Sequence, residues 1–341
     1  MTPAWDDLNA RARGLGTHLL EPAQLAALSR EPDAPSLAAA LRRAGVLTAA
    51  MTEAPAPQDL ELAIRRWAAA LLRILARWAG SRAAALPLVF DEEDRRSLRS
   101  VLRGAVQHVP AEQRLAGLIP TPALPERALE ELARTATPAD AAALLAVWHH
   151  PFATTVLPAA AAAQPDLFAL DLALSRAVAV RATDAARQSR SRTLRAWVRD
   201  TIDLENARSA ILLSTAGDDI VPADVFLPGG QHLTFPAFER AVMAREPGAV
   251  AVQLATAFAE TPYGATFMHA GRDVAALEHE LVQQRMGELA RERRRAPLGP
   301  LPVLWFALQL RTQVVDLQRI VWTVALNAPR GSLDIAFAAT A

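Results

Sequence analysis

The side chains best suited to chemistry are scattered along the 341 residues rather than grouped. The histidines are His18, His108, His149, His150, His232, His269 and His279, and no two of them lie four residues apart. His149 and His150 are adjacent, so on a helix they would point different ways. There is no cysteine, which excludes disulfides and thiolate-held zinc or iron–sulfur centres. A metal site would need ligands converging from distant positions, and none is assigned. The serines lie outside any G-x-S-x-G elbow. Asp91, Glu92, Glu93 and Asp94 precede a helical block, where carboxylates ordinarily fill a first turn.

Residues 224–242, DVFLPGGQHLTFPAFERAV, pose the sharpest question. Gly229-Gly230 is followed by no Gly-Lys-Ser/Thr, and the pair belongs to no G-x-G-x-x-G motif. The expected structure is a tight turn with one glycine at positive φ and Thr234 available to cap the next helix. No catalytic residue, cofactor-binding residue or metal ligand is therefore expected. An enzyme would need a compact cleft with convergent polar groups, and nothing marks one.

One charge run remains. RQSRSRTLRAWVRD (187–200) holds Arg187, Arg190, Arg192, Arg195 and Arg199. Such a run suits an acidic partner surface, anionic lipid head groups or nucleic acid, or it is simply a solvated helix face. No helix-turn-helix, zinc or RNA-binding signature accompanies it. The 36 basic residues, all arginine, balance 36 acidic ones, which also argues against a nucleic-acid partner.

The elements that must position these residues read as helices. Leu, Ala, Arg and Glu dominate and β-branched runs are scarce. The 24 prolines fall mainly between helical patterns, as loops and helix starts. Residues 60–80 place Leu60, Ile64, Trp67, Leu71, Ile74, Leu75 and Trp78 on one apolar stripe, with Gly80 as a stop. Residues 167–188 and 274–295 are two more long helices, the latter with Leu277, Leu281, Val282, Met286 and Leu289 on one face. The N-terminus lacks the apolar core of a signal peptide. The most apolar stretch, 141–163, is interrupted by His149, His150, Pro151 and Pro158, so a spanning helix is not expected.

The long helices open a repeat. Leu60-Glu61, Leu170-Asp171 and Leu277-Glu278 each precede a second block: DRRSLRSVLRG (94–104), DLENARSAILL (203–213) and QVVDLQRIVWT (313–323). Aligned, Asp94, Asp203 and Gln313 correspond, as do Ser97, Asn206 and Asp316, at offsets of 109 and 110 residues. Each block reads as an amphipathic helix, polar on one side and apolar on the other. Leu227-Pro228 of the glycine turn has a counterpart in Ile119-Pro120 of AGLIPTPALPERALEEL (116–132). A helical N-terminal segment (1–59) packing with three similar units (60–166, 167–273 and a truncated 274–341) is expected. Residues 8–29 and 34–45 of that segment are suited to completing a partial unit.

These blocks carry a resemblance. The chain resembles the C-subunit family of V-type and A-type ATPases, relatives of the eukaryotic V0 d subunit. LNARARGLGTHLL resembles the family's opening segment, and RAWVRDTIDLENARSAIL its Asp-x-x-Asn helix, with Asp203 and Asn206 in place. DVFLPGGQHLTFPAFERAV is similar to the turn that follows, and PVLWFALQLRTQVVDLQRIVW to the final helices. The first turn departs from the pattern, with Pro120-Thr121-Pro122 in place of Pro-Gly-Gly.

The resemblance implies an all-α protein of three similar helical units arranged as a funnel-like socket for the central stalk. It implies a peripheral location on the cytoplasmic face of the membrane. It also implies a non-catalytic coupler between central-stalk subunits D and F and the proteolipid ring of a rotary ATPase or ATP synthase moving protons or sodium ions. No cofactor and no nucleic acid are implied. Gly229 and Gly230 would then shape a corner near a partner, and the arginine run would face ring, stalk, lipid heads or solvent. The alternative is a helical-repeat protein-binding scaffold unrelated to a rotary ATPase.

Overall fold

The computed structural model describes residues 5–47, 55–85, 87–214, 221–269 and 274–328. Every regular element among them is a helix, as expected of an all-α protein. The chain divides into two compact units, Met1–Val178 with Ala296–Ala341, and Ala179–Arg295.

The first unit opens with α1 (Asp6–Gly16), α2 (Pro22–Leu28), α3 (Ala34–Arg43) and α4 (Pro57–Ala79). Proline sits in the first turn of α2, α3 and α4, where its fixed φ suits the helix and its missing N–H costs nothing. Asp33 caps α3 by accepting the Ser36 N–H at 2.8 Å. Gly80 ends α4 at φ +53°. The α4 stripe is only partly buried: Leu60, Ile64, Leu71 and Leu75 face inward, whereas Ile74 and Trp78 are exposed. Trp78 carries the Arg11 guanidinium 3.1 Å above its ring.

Then come α5 (Pro87–Val106), α6 (Ala111–Arg114), α7 (Glu126–Ala133), α8 (Pro138–Val147) and α9 (Ala153–Ala160). The following α10 (Leu167–Gln188) runs past the end of this unit's first segment at Val178. Leu98, Leu102, Leu132, Leu145, Phe152 and Leu174 form the heart of the core. The apolar stretch 141–163 is split between α8 and α9 by a turn at Trp148–Phe152.

The second unit holds α11 (Arg192–Ser214), α12 (Pro222–Val225), α13 (Phe235–Met243), α14 (Pro247–Ala257), α15 (Tyr263–His269) and α16 (Val274–Arg295). Phe238, Phe258 and Phe267 are fully buried in it. Of the expected α16 stripe, Leu277, Leu281, Met286 and Leu289 are buried, but Val282 is half exposed. The Glu278 side chain lies outside the described residues. The chain returns to the first unit as α17 (Leu301–Ala325), which packs on α1, α2, α3, α4 and α5. Asn9 of α1 donates from Nδ2 to the Gly299 carbonyl at 2.8 Å, tying the N-terminal helix to the segment that enters α17.

The three repeated blocks are helical, in α5, α11 and α17, but the amphipathic expectation needs correcting. Their aligned polar pairs are buried: Asp94 and Ser97, Asp203 and Asn206, Gln313 and Asp316 are all at most 2% exposed. A buried polar group is tolerated only with partners. Asp94 accepts the Thr121 hydroxyl. Gln313 accepts the Leu20 N–H and donates to the Leu20 carbonyl, both at 2.9 Å. The aligned polar pair of each block therefore lies against protein rather than water.

The carboxylate run also differs from expectation. Since α5 begins at Pro87, Asp91 to Asp94 lie beyond its first turn, and Asp91, Glu93 and Asp94 are buried. Glu93 pairs with Arg96 at 2.7 Å and with Arg311 of α17 at 3.3 Å.

Candidate partner-contact site

Helix α11 and the loop at 227–233 gather most of the residues singled out by sequence. Arg192, Arg195, Arg199, Asp203 and Asn206 follow one another at three- and four-residue steps, so they share a helix face. The C-terminal half of that face is covered by the loop. Asn206 donates from Nδ2 to the Leu227 carbonyl and accepts the Leu227 N–H, each at 2.8 Å. Asp203 Oδ2 accepts the N–H groups of Gln231 and His232 at 2.8 Å, and Oδ1 accepts that of Leu233 at 3.1 Å.

The glycine pair now has a physical reason. Gly229 adopts φ +112°, outside the range open to most side chains. A Cβ at Gly230 would lie 1.9 Å from Asp203 Oδ1, so the backbone must approach the carboxylate bare. Three successive N–H groups converging on one anion make a nest of the kind that holds phosphate. Here the protein's own carboxylate fills it. Thr234 takes the N-cap position of α13, but its side chain makes no cap hydrogen bond.

The N-terminal half of the α11 face is uncovered. Arg187, Arg190, Arg192, Arg195 and Arg199 are all exposed. Arg187 pairs with Asp184 at 2.6 Å, and Arg199 donates to Gln231 Oε1 at 3.3 Å. Arg190 holds φ +55° in the turn between α10 and α11. The first turn of α11 contains no acid. A cation there opposes the helix dipole by about 0.3–1 kcal/mol, so Arg192 and Arg195 do not serve helix stability.

Beside the loop lies a polar cluster that local spacing did not disclose. His232 Nε2 is 3.9 Å from Asp200 Oδ1. Arg285 of α16 donates to Thr201 Oγ1 and stacks 3.7 Å from the Trp197 ring centroid. Burial pushes the Asp200 carboxyl up to about 6, with Arg285 and His232 pulling it back and Glu288 and Asp203 adding to the rise. Burial likewise raises the Tyr263 phenol, and Glu288 at its hydroxyl adds to this. Positions 197, 200, 232, 263, 285 and 288 come from four segments, so only their convergence in the fold identifies them.

Among the described residues, Asp200, Asp203 and His232 have ligand atoms within 4.8 Å of one another. The carboxylate of Asp203 is already shared among three backbone donors, which makes it a loop anchor first. No helix among the described residues is long and apolar enough to cross a membrane.

Fold and site together define an all-helical protein whose repeated helices clamp loops through buried polar pairs and whose exposed feature is an arginine ridge. The chain belongs to the C/AC39 subunit family of V/A-type ATPases: a model of that family, described as ATP synthase (C/AC39) subunit, matches residues 8–333. The family is a structural subunit of a rotary complex rather than its catalytic one. None of the curated proteins compared matches the chain.

Proposed function

We propose that this protein is the rotor-coupling subunit of its ATPase, linking central-stalk subunits D and F to the proteolipid ring at the cytoplasmic face of the membrane. The family match across residues 8–333 carries this reading. The complex would move protons or sodium ions, with ion choice residing in the ring. Three similar helical units would form the socket, the last of them completed by the N-terminal helices.

The loop clamps support a mechanical role. A subunit that passes torque needs connections that do not yield when neighbouring helices are loaded. A bidentate amide clamp such as Asn206 on Leu227 cannot slip without leaving buried donors and acceptors unpaired, at about 1–3 kcal/mol for each group. Gln313 on Leu20 has the same geometry.

Affinity capture of the tagged chain from gently solubilised membranes tests the proposal. Recovery of stalk and proteolipid subunits is the expected result. A chain found only in the cytosol, with neither, overturns it.

A further inference from the structure

The arginine ridge has no internal explanation. Between residues 187 and 199 there are five arginines and no acid. Arg190, Arg192 and Arg195 are exposed and have no ion-pair partner among the described residues. The start of α11 is already capped, because Ser191 Oγ accepts the Leu194 N–H at 3.3 Å. The helix dipole opposes two of these cations, and Arg190 sits in the left-handed region that favours glycine. Cations kept outward against these local costs point to an anion outside the chain.

The chemistry of the ridge narrows the partner. Protein interfaces are organised around buried aromatic or aliphatic anchors. Here Leu194 and Val198 point inward, and Trp197 is half-buried under Arg285, so the ridge offers no exposed large apolar side chain. A layer of anionic head groups needs no such anchor, because each arginine near it contributes electrostatically on its own. We propose that Arg190, Arg192 and Arg195 form an electrostatic contact for the anionic head-group layer of a membrane, with Arg187 and Arg199 at its margins. This deepens the reading of the chain as a peripheral rotor subunit and rests on it for the membrane's proximity.

Sedimentation of the purified full chain with vesicles tests it. Phosphatidylcholine vesicles containing phosphatidylglycerol should bind the protein, pure phosphatidylcholine vesicles should not, and added salt should release it. Replacing Arg190, Arg192 and Arg195 together with Gln should lower the partition coefficient about a hundredfold, taking about fivefold per arginine. A second variant, with Arg291, Arg294 and Arg295 replaced by Gln, removes the same charge from α16 of the same unit and should bind nearly as the parent does.

Unchanged binding of the first variant, with its helical circular dichroism intact, overturns the proposal. Equal losses in both variants also overturn it, since net charge would then suffice. So does retention of the parent on immobilised polyglutamate without binding to vesicles, which assigns the ridge to an acidic protein. Capture of stalk and ring subunits is scored separately, so failure of the lipid contact leaves a distinct signature from failure of the coupling role.

Discussion

The carboxylate of Asp203 occupies the space that a side chain at Gly230 would need: a Cβ there would lie 1.9 Å from Oδ1. The two positions therefore form one device, a bare backbone folded over a buried anion. Gly230→Ala should destabilise the second unit by roughly 2–4 kcal/mol, since either the loop or the carboxylate must shift and its hydrogen bonds weaken. Gly230→Val should do worse and impair assembly. Thermal unfolding by circular dichroism reads the loss. In an Asp203→Ser background the added cost of Gly230→Ala should shrink markedly, because the obstructing group is gone. Additive losses would show that the two residues act independently.

Removing the anion exposes the same device from the other side. Asp203→Ala leaves the N–H groups of Gln231, His232 and Leu233 without their acceptor. The expected cost is about 3–5 kcal/mol, from about 1–3 kcal/mol for each buried donor left unpaired. Asn206→Ala releases only the two Leu227 groups and should cost less. Hydrogen exchange at residues 227–233 should accelerate in both variants, more in the first. Slow exchange in Asp203→Ala would mean the loop is held by something else.

Asp200 gives the second unit a pH dependence of known sign. Its carboxyl titrates near 6 in the folded protein, above the ordinary aspartate value, because burial disfavours the charged form. The folded state then holds that proton more tightly than the unfolded state does. Stability from this group is fully present below the unfolded value and is lost as pH rises through about 6. The groups facing it are Arg285, His232, Glu288 and Asp203. The melting temperature should therefore rise between pH 7.5 and pH 5 by an amount that Asp200→Asn removes. An identical pH profile in that variant would sink the assignment.

The helices were legible because apolar periodicity is a local property. Pro22 and Gly80 mark boundaries through their own backbone chemistry, and Asp33 through its capping side chain. The direction of the polar pairs was not legible. Asp203 and Asn206 at i and i+3 look the same whether that face meets water or the backbone of residues 227–233, and only the path of a distant loop decides. Asp91 to Asp94 misled for the same reason: Glu93 meets Arg311 more than two hundred residues away, and Asp94 meets Thr121 of a separate loop. The cluster of Asp200, His232 and Arg285 has no common spacing to detect. The glycine pair was readable as a corner, but its cause required the carboxylate beneath it.

Gln313 offers the last test, because it joins the two ends of the chain. Its side-chain amide holds both backbone groups of Leu20, all of them buried. Gln313→Ala removes a donor and an acceptor at once and opens a cavity against α17. The expected loss is roughly 2–4 kcal/mol in the first unit, by the usual cost of stranding buried backbone groups and leaving a void. Gln313→Glu keeps the acceptor for the Leu20 N–H but sets a carboxylate against the Leu20 carbonyl, so it should not rescue the clamp. Limited proteolysis should then cut near residues 17–21 in both variants while the parent resists. Resistance in Gln313→Glu alongside cleavage in Gln313→Ala would show that volume, not the paired hydrogen bonds, holds the N-terminal helices to α17.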